Sequence, residues 1–597
     1  MEDRSLLVLY GSETGCAQDV AETIARQGKR RHFRTRVCAM DDYDKANLVD
    51  ESFVIFVCST TGQGDEPNNM KKFWRFLLRK NLPHDILNGL SCAVFGLGDS
   101  SYQKFNYPSK KLYKRLMQLG ANMLYVRGDG DDQHYMGLDG ELIPWLKGLW
   151  ENVANEFPLP KDKPIIPEDV LYPFKDIDIT LPPSFHIEFI ADDTDKAESR
   201  LVTSYSEGEY DMLVKANDRI TAADHFQDVR HIVLHNDSNP YRYEAGDTVS
   251  IMPQNLPDEI NQFLEQVDWA GYADRLIKIT PADPDRKVPP HWPETMSFRD
   301  LFLYHLDVCG VPRRSFFEMV SYFTMDPNHT ERLREFTQPE GQDDLYAYCQ
   351  RPRRTIAEIL FDFKPFDIPF DYILDLFPPL QPRAYSIASS IRVRAHPDEL
   401  HLCIAIVKYK TKMRKIRRGV LTKWISTLAP GDVVRRVHLS KGSMSLPLPS
   451  TPYIAIGPGT GIAPIRSFLE ERILDHAKSN VLFVGCRNLE KDFLYGDQWK
   501  NYVADGYLTL YTAFSRDQEE KIYVQDRLRE NSSMIWDLVH NQHAKVMLCG
   551  SSNKMPSQVA FAFKQIFMKE GGLDSEEAES YFSTMMKTKQ YQEECWA

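Results

Sequence analysis

The sequence predicts a multidomain α/β protein in which two doubly wound domains flank a strand-built domain with a helical insertion. Its 597 residues suffice for about three to four domains, each with its own core. Towards both ends of the chain, short apolar strands alternate with glycine-rich loops and helical patterns, as in open parallel sheets. In the middle, strand patterns are interrupted from Pro257 to about Phe363 by apolar residues at helical spacing.

The composition argues against several functional classes. A formal net charge of -13 does not suit nucleic-acid binding, which needs a basic surface to neutralise phosphates. The ten cysteines include no Cys-x-x-Cys pair, so we expect neither a metal site nor a disulfide framework, and a reducing compartment fits best. No secretory signal and no apolar run of membrane-spanning length is evident. We therefore expect a cytoplasmic protein without a membrane anchor or a nucleic-acid partner.

The first strand of the N-terminal domain leads into an anion-binding loop. The apolar run Leu6–Tyr10 is followed by the small-residue loop Gly11–Cys16 and then by a helical pattern. Such a loop directs backbone N–H groups at an anion. It lacks the Gly-Lys-Ser/Thr ending of a nucleoside triphosphate loop, so a single phosphate monoester is the better ligand.

Two further buried strands of this domain also end in polar, glycine-rich loops. The strand Phe53–Cys58 leads into Ser59–Gly64, and Cys92–Phe95 leads into Gly96–Tyr102, where Tyr102 can stack on a ring. Loops that follow strand C-termini meet at one edge of an open parallel sheet, which predicts a ligand site there. The acidic run Gly128–Asp132 is either a solvated turn or a face for partner docking.

The domain boundaries follow from composition. A first domain spans 1–155, and a proline-rich, charged stretch predicts a linker over 156–200. The strand-built domain covers 201–446, with its helical insertion at about 255–363, and the last domain covers 447–597. The aromatic stripes of the insertion are most simply core, and only Arg351 near its end is a candidate for chemistry.

Two segments of the middle domain suit a flavin nucleotide. Along the strand Arg383–Ser390 an arginine, an aromatic residue and hydroxyls alternate, so that charge neutralisation and ring stacking share one surface. The segment Arg418–Thr422 opens a helix whose amides can hold a pyrophosphate. The basic run Lys408–Arg418 is either a nuclear or nucleic-acid signal or a solvated hairpin.

The last domain carries the features of a dinucleotide site. The strand Tyr453–Ile456 leads into the glycine loop Gly457–Pro464, whose last residue departs from the Gly-x-Gly-x-x-Gly pattern. The pair Ser515 and Arg516, with Lys521–Gln525 beyond, combines cations, a hydroxyl and a phenol. These groups suit a ribose 2′-phosphate and predict NADPH, unless they are ordinary surface charges.

With these motifs the chain resembles a known family. Residues from about 5 to 155 resemble a flavodoxin-type FMN domain, and the whole order resembles the NADPH-dependent diflavin reductases. The resemblance implies a flavodoxin-like FMN domain, an antiparallel β-barrel FAD domain with a helical insertion, and a ferredoxin-reductase-type NADP-binding α/β domain. The implied cofactors are FMN, FAD and NADPH.

The resemblance also implies which residues hold the FMN. Its phosphate is held by Ser12, Glu13, Thr14, Gly15, Cys16 and Ala17. Its ring is edged by Ser59, Thr60, Thr61, Gly62, Leu97, Gly98, Asp99, Ser100, Ser101, Tyr102, Gln103, Lys104, Phe105 and Asn106, with Asp132 nearby.

For the other two cofactors the implied residues come from the middle and last domains. FAD is implied at Arg383, Ala384, Tyr385, Ser386, Gly419, Val420, Leu421 and Thr422, with Tyr385 stacking on the ring and Trp596 covering its other face. Arg351 is a further cofactor-binding candidate that is not tied to one of the three cofactors. NADPH is implied at Thr460, Ser515, Arg516, Lys521, Ile522, Tyr523, Val524, Gln525 and Gln558. Ser386, Cys549 and Glu594 are implied as catalytic groups that steer the hydride and stabilise the departing charge.

Three positions depart from the family pattern. Cys16 replaces a hydroxyl that many relatives place at the phosphate, which favours looser FMN binding although the loop amides remain. Thr61 stands where several relatives carry a second stacking tyrosine. Gln558 replaces an acid that many relatives place near the nicotinamide amide.

The implied function is electron transfer from NADPH to FAD, then to FMN, then to a one-electron acceptor protein docked near Asp129, Asp131 and Asp132. The compact layout most resembles the reductases of cytosolic iron–sulfur protein assembly, which implies an anamorsin-type iron–sulfur protein as the acceptor. A methionine-synthase-type or sulfite-reductase-type reductase is the alternative within the class. A non-catalytic scaffold that uses its FMN-like module to bind partners is the alternative from another class.

Overall fold

The computed structural model describes residues 4–62, 64–102, 104–161, 163–167, 182–190, 208–236, 241–283, 286–393 and 398–596. Of the predicted site residues, Gln103 lies outside these ranges, as do large parts of the predicted linker. The chain forms two compact units. The first unit comprises Met1–Thr203, Asn255–Gln381 and Thr411–Lys415, and the second comprises Ser204–Gln254, Pro382–Lys410 and Ile416–Ala597.

The described residues contain 22 strands, numbered here in chain order. The N-terminal strands are β1 (Ser5–Gly11), β2 (Arg34–Ala39), β3 (Phe53–Ser59), β4 (Ser91–Gly98), β5 (Asn122–Met123) and β6 (Gly128–Asp131). The middle strands are β7 (Phe185–Phe189), β8 (Glu209–Arg219), β9 (Val229–His235), β10 (Thr248–Ile251), β11 (Leu276–Pro281), β12 (Thr295–Ser297), β13 (Arg383–Ser386), β14 (Glu399–Ala405), β15 (Lys408–Lys410), β16 (Ile416–Arg418) and β17 (Val433–Ser440). The last strands are β18 (Tyr453–Pro458), β19 (Asn480–Cys486), β20 (Thr509–Phe514), β21 (Lys545–Ser551) and β22 (Tyr591–Trp596).

The α-helices are numbered in the same way. Those of the first unit are α1 (Cys16–Arg30), α2 (Lys71–Leu77), α3 (Tyr107–Gln118), α4 (Asp139–Glu156), α5 (Pro257–Gln266), α6 (Phe298–Asp300), α7 (Arg314–Val320), α8 (Pro327–Thr337), α9 (Gln342–Leu345), α10 (Ile356–Asp362) and α11 (Ile373–Leu376). Those of the second are α12 (Val420–Ile425), α13 (Ile462–Leu474), α14 (Leu489–Asp492), α15 (Gly496–Ala504), α16 (Val524–Glu530), α17 (Ser532–Trp536), α18 (Met555–Gly571) and α19 (Ser575–Lys587). Within the described ranges, no helix has both the length and the apolar character needed to cross a bilayer.

The N-terminal sheet is parallel and buried on both faces. Its strand order is β2-β1-β3-β4-β5, and β6 also pairs with β4. The central strands read as continuous apolar runs because helices cover both faces of the sheet. The three predicted loops therefore all leave the same edge of the sheet.

The acidic segment at the end of this domain differs from the prediction. Gly128–Asp131 is the strand β6 rather than a loop, and it runs parallel to β4. A Cβ atom at Gly128 would lie 2.3 Å from the Phe95 ring, so a larger residue could not pack there. Glycine permits this close approach of the two strands although the sequence lacks an apolar strand pattern.

The helical insertion is confirmed, and it has its own buried aromatic core. Phe263, Trp269, Phe298, Phe302 and Phe377 are buried against one another in this core. A small antiparallel sheet of order β12-β11-β7 packs beside them. Strand β7 was not predicted, because it lies within the stretch interpreted as a linker.

The strand-built part of the second unit is a nearly closed antiparallel barrel. Its strand order is β13-β10-β17-β8-β9-β14. Beyond β13, Ile387 forms an antiparallel bridge with Leu402 of β14, which brings the two ends of the sheet together. The basic run forms the hairpin of β15 and β16, which agrees with the predicted hairpin.

The last domain contains a second parallel sheet, of order β20-β19-β18-β21-β22. The glycine loop leads from β18 into α13, as predicted. A Cβ atom at Gly461 would lie 2.0 Å from the carbonyl oxygen of Cys549, so only glycine fits between the loop and β21. A capping box of Asp574 and Glu577 opens α19.

Candidate functional site

The predicted phosphate loop lies between β1 and the N-terminus of α1. Gly15 is the N-cap of the helix and has a φ of 83°, a left-handed conformation that favours glycine. The hydroxyl of Ser12 accepts a hydrogen bond from the amide of Ala17 at 3.3 Å, and Thr14 Oγ1 lies 3.7 Å from Cys16 Sγ. The loop thus gathers hydroxyls and a thiol at a helix N-terminus, which fits a phosphate monoester.

The acidic residue of this loop is turned away from that position. The Glu13 carboxylate accepts hydrogen bonds from the backbone and side-chain nitrogens of Asn68 at 2.9 and 2.7 Å. The neighbouring Asn69 accepts a bond from the Ser12 amide at 2.8 Å. Glu13 therefore joins the first loop to the second, and its charge is directed at Asn68.

The loops after β3 and β4 form the second part of the site. The amide of Thr60 donates to the carbonyl of Leu97 at 2.8 Å, which joins the two loops. Among the residues that the structure describes, Thr60 Oγ1 and Asn106 Oδ1 are buried polar atoms without a hydrogen-bond partner. Buried polar groups are normally paired, so these two atoms suit a ligand that supplies the missing bonds. The donor set of these loops fits a flavin ring with polar edges.

The loop after β4 is held by the acidic strand β6. Asp131 accepts from the amide of Ser100 at 2.8 Å, and Asp99 accepts from the amide of Ser101 at 2.8 Å. Lys104 packs against the second loop. A Cβ atom added at Gly64 would lie 2.5 Å from the Cβ atom of Lys104. The surrounding protein partly desolvates the Asp132 carboxyl and so raises its pKa, and the nearby Asp99 raises it further, although the residue as a whole is exposed.

The three acidic side chains near these loops differ in whether they have partners within the protein. Asp129 forms an ion pair with Arg127 at 2.6 Å, and Asp131 bonds to backbone amides on both sides. Asp132 is exposed. Of the three acids predicted to receive a partner, two therefore hold the fold together, and Asp132 is the one that faces solvent.

Arg351 belongs to the first unit and lies between α9 and α10 of the insertion. Its amide donates to the carbonyl of Tyr346 at 2.9 Å, and the residue is exposed. It borders a cavity of about 770 Å³ in this unit, which Cys16, Asp132 and Arg313 also line. The structure thus brings Arg351 to the same cavity as the phosphate loop.

In the second unit, the predicted flavin strand is β13 at the edge of the barrel. Arg383 and Ala384 are exposed, whereas Tyr385 and Ser386 are half-buried. Burial raises the pKa of Tyr385 to about 12, although Arg383 lowers it. The phenol is neutral at physiological pH with or without this shift, so Tyr385 offers the site an uncharged aromatic ring.

The three predicted catalytic residues meet at one place. Ser386 Oγ donates to Glu594 Oε1 at 2.8 Å, and β22 places Glu594 beside Cys549 of β21. Burial raises the pKa of Glu594, whereas hydrogen bonds from Ser386 and Ser443 lower it. Burial also raises the pKa of the Cys549 thiol well above its usual value.

Sequence reasoning missed Ser443 in this cluster. Its hydroxyl donates to Glu594 Oε2 at 3.2 Å, so that both carboxylate oxygens have a hydroxyl partner. Ser443 lies in the loop after β17 and follows Gly442, which packs against the carbonyl of Gly246. A small hydroxyl residue in a loop carries no sequence signal that separates it from an ordinary turn.

The segment Arg418–Thr422, predicted to hold a pyrophosphate, lies at the start of a helix in the structure. Helix α12 begins at Val420, as predicted, with Gly419 as its N-cap. The Thr422 hydroxyl accepts from the amide of Val407 at 3.1 Å and is buried. This hydroxyl is thus used within the protein, where it joins the start of α12 to the chain after β14. The backbone amides of Val420 and Leu421 are therefore better candidates for pyrophosphate binding than the Thr422 hydroxyl.

The nucleotide residues gather at the C-terminal edge of the last sheet. Ser515 and Arg516 follow β20, where their amides donate to the carbonyls of Cys486 and Arg487 at 2.9 and 2.8 Å. Gln525 Nε2 donates to Gln558 Oε1 at 3.1 Å, so these two predicted residues contact each other.

The remaining predicted nucleotide residues divide by exposure. Lys521 and Tyr523 are exposed, and Thr460 lies in the turn that precedes α13. The side chains of Ile522 and Val524 pack on the hydrophobic core and can only position the loop.

Trp596 ends strand β22 and is half-buried. Its carbonyl accepts from the amide of Ser552 at 2.8 Å, and its ring packs at the edge of a core cluster of the last domain. The strand register sets it opposite Ser551 of β21. Trp596 is thus fixed at the same sheet edge as Glu594, two residues away along β22.

Comparisons with known proteins identify three family models along the chain. A flavodoxin model matches residues 8–145, an FAD-binding domain model matches 205–424, and an oxidoreductase NAD-binding domain model matches 455–560. Together they follow the order that the sequence predicts.

Curated relatives match the chain over its whole length. A protein of Danio rerio described as "NADPH-dependent diflavin oxidoreductase 1" is 43% identical over 610 residues, which cover 100% of both chains. Proteins of the same description from Schizosaccharomyces pombe and Arabidopsis thaliana are each 38% identical, again over 100% of both chains.

Proposed function

Because this chain belongs to the NADPH-dependent diflavin oxidoreductases, we propose that it delivers electrons to an anamorsin-type iron–sulfur protein of cytosolic iron–sulfur protein assembly. The coarser activity follows from the family: the chain is an NADPH-dependent oxidoreductase with FAD and FMN, and it serves an electron acceptor protein. The non-catalytic scaffold is therefore set aside.

When bound, the nicotinamide supplies a hydride to FAD, and FMN supplies single electrons to the acceptor. We assign FMN to the phosphate loop and to the loops after β3 and β4, since their unpaired Thr60 and Asn106 oxygens suit a polar ring edge. FAD is assigned to the strand at Arg383 and to the start of α12. NADPH is assigned to the loops at Thr460, Ser515 and Arg516, where a cation and a buried hydroxyl suit a 2′-phosphate.

One contact carries the catalytic assignment. The hydrogen bond of 2.8 Å from Ser386 to Glu594 joins the flavin strand β13 to the nucleotide-domain strand β22. Ser386 and Ser443 hold the carboxylate in one orientation, and its negative charge can stabilise the positive charge that develops on a nicotinamide as hydride leaves. The Cys549 thiol, opposite Glu594 in the strand register, stays protonated because burial raises its pKa.

The proposed acceptor is supported by the breadth of the family. Relatives of the same description, aligned over their whole lengths, occur in a fish, a fungus and a plant. An acceptor that all of these organisms share is better suited to a general process such as iron–sulfur protein assembly than to a lineage-specific one. All ten cysteines are free thiols, which supports the cytosol as the proposed compartment.

The acceptor test compares three electron acceptors under anaerobic conditions. Purified reductase and NADPH are mixed with an anamorsin-type iron–sulfur protein, with methionine synthase, or with the haemoprotein of a sulfite reductase. We expect catalytic reduction of the iron–sulfur protein at a rate at least about tenfold above the other two. A faster reduction of either alternative acceptor would replace the proposal with the corresponding reductase type.

A further inference from the structure

Within the first unit, an arginine of the helical insertion reaches the phosphate loop of the flavodoxin domain. Arg313, which precedes α7, donates from Nη1 to the carbonyl of Gly15 at 2.9 Å. Its Nη2 lies 3.2 Å from Cys16 Sγ, and Nη1 lies 3.9 Å from the Asp19 carboxylate. The guanidinium is therefore fixed at the thiol and the backbone of the predicted phosphate loop.

The phosphate loop has no cation of its own. Residues 11–25 include neither lysine nor arginine, while Glu13 and Asp19 add negative charge nearby. A phosphate monoester carries about two negative charges at neutral pH, which backbone amides and a helix N-terminus neutralise only in part. A thiol is also a weaker hydrogen-bond donor than a hydroxyl. The loop alone is thus a poor phosphate site. A guanidinium would supply both the positive charge and the strong hydrogen-bond donors that the loop lacks.

We propose that Arg313 completes the phosphate pocket of the FMN site, so that retention of FMN depends on the helical insertion as well as on the flavodoxin domain. This proposal rests on the FMN site assigned under Proposed function. The planar guanidinium presents five N–H donors in a fork that matches phosphate oxygens, and the contacts to Gly15 and Cys16 leave others for the ligand. The insertion thereby supplies the positive charge that the phosphate loop lacks.

The surrounding interface holds Arg313 in place. Ser315 donates to Asp19 at 2.6 Å, Arg286 pairs with Glu22 at 2.8 Å, and Lys29 pairs with Asp283 at 3.6 Å. The three partners on α1 are spaced three and seven residues apart, which places them on one helix face against the insertion. Arg286 meets α1 at Glu22, six residues and roughly 9 Å beyond Cys16 along the axis. It therefore provides a control on the same interface away from the phosphate loop.

The test compares FMN with riboflavin, which has the same ring but no phosphate. Full-length protein is freed of FMN, and each flavin is titrated by fluorescence quenching into the natural protein, Arg313→Gln and Arg286→Gln. We expect Arg313→Gln to weaken FMN binding about tenfold or more and to change riboflavin binding less than about twofold. Arg286→Gln should change the affinities for both flavins by the same factor. Arg313→Lys, which keeps the charge without the fork, should fall between the natural protein and Arg313→Gln.

The outcomes separate this proposal from the assignment of the FMN site. An unchanged FMN affinity in Arg313→Gln, or an equal loss for FMN and riboflavin, would overturn the role of Arg313 while leaving the site in place. Failure of the natural protein to bind FMN would overturn the site itself, and the role of Arg313 with it. Retained riboflavin binding shows that the flavin site of each variant is folded, and the FAD content reports on the folding of the other unit.

Discussion

Two opposing effects set the pKa of the Glu594 carboxyl. Burial raises its pKa, while the hydroxyls of Ser386 and Ser443 oppose that shift by donating to both carboxylate oxygens. The charged form is the one that can stabilise a developing positive charge on the nicotinamide. Protonation of this carboxyl should therefore slow hydride transfer on the acid side of the pH profile.

The first prediction concerns Glu594→Gln. We expect FAD reduction by NADPH, followed by stopped-flow absorbance at neutral pH, to slow about 10- to 100-fold, as for loss of a charge-assisted contact. In the natural protein the rate should fall as pH falls through the raised pKa of Glu594, and this acid limb should vanish in the variant. Ser443→Ala removes a bond that lowers the pKa, so its acid limb should move to higher pH. An acid limb that persists in Glu594→Gln would assign it to another group.

The second prediction concerns Arg516 and the choice of nicotinamide cofactor. Because the assigned role is to neutralise a 2′-phosphate, Arg516→Ala should raise KM for NADPH about 10- to 100-fold and KM for NADH less than about twofold. Lys500→Ala is the control, since Lys500 is an exposed cation of the same domain that pairs with Asp497. Equal losses for the two cofactors in Arg516→Ala would contradict the 2′-phosphate assignment.

At the scale of elements, strands with apolar runs could be predicted, and strands built from close backbone approach could not. The strands β1, β3 and β4 read as continuous hydrophobic segments because both faces of their sheet are covered. Strand β6 has the sequence Gly-Asp-Gly-Asp, which carries turn signals. It forms because glycine lets the chain pack on Phe95 beside β4, and this contact is non-local.

Strand β7 could not be predicted either, because its pairing partner is distant in the sequence. Its sequence Phe185–Phe189 alternates apolar and polar residues, but it follows a proline-rich stretch that favoured a linker. Its partner β11 is about ninety residues further along the chain, so no local pattern reveals the pairing. The strand becomes stable only against the insertion, where Ile187 is buried.

The candidate sites divide in the same way. Loops that follow parallel strands could be predicted to meet, because the C-terminal ends of such strands share an edge. The contacts of Ser443 and Arg313 could not be predicted, since each residue reaches its site from a segment far away in the sequence. Burial of Glu594 likewise depends on strand β22 pairing with β21, which its short charged sequence does not predict.

For the whole molecule, electron counting explains why one chain holds three sites. A hydride carries two electrons, whereas a protein acceptor of the iron–sulfur type takes one at a time. The family models follow the chain in the order flavodoxin, FAD-binding and NAD-binding domain, so each cofactor has its own module. Removal of one cofactor should therefore remove one step and spare the steps before it.

The last prediction follows from this order. We expect salt treatment to release FMN before FAD, because the phosphate loop offers a thiol at Cys16, a weaker donor than a hydroxyl, and Thr61 offers no ring for stacking. The FMN-depleted chain should still oxidise NADPH with ferricyanide, an artificial acceptor, but should lose more than about 90% of its reduction of the acceptor protein, measured anaerobically by absorbance. Added FMN should restore that activity, and added riboflavin should restore it only at higher concentration. Full acceptor reduction by the FMN-depleted chain would mean that electrons leave from FAD, and the proposed order would be wrong.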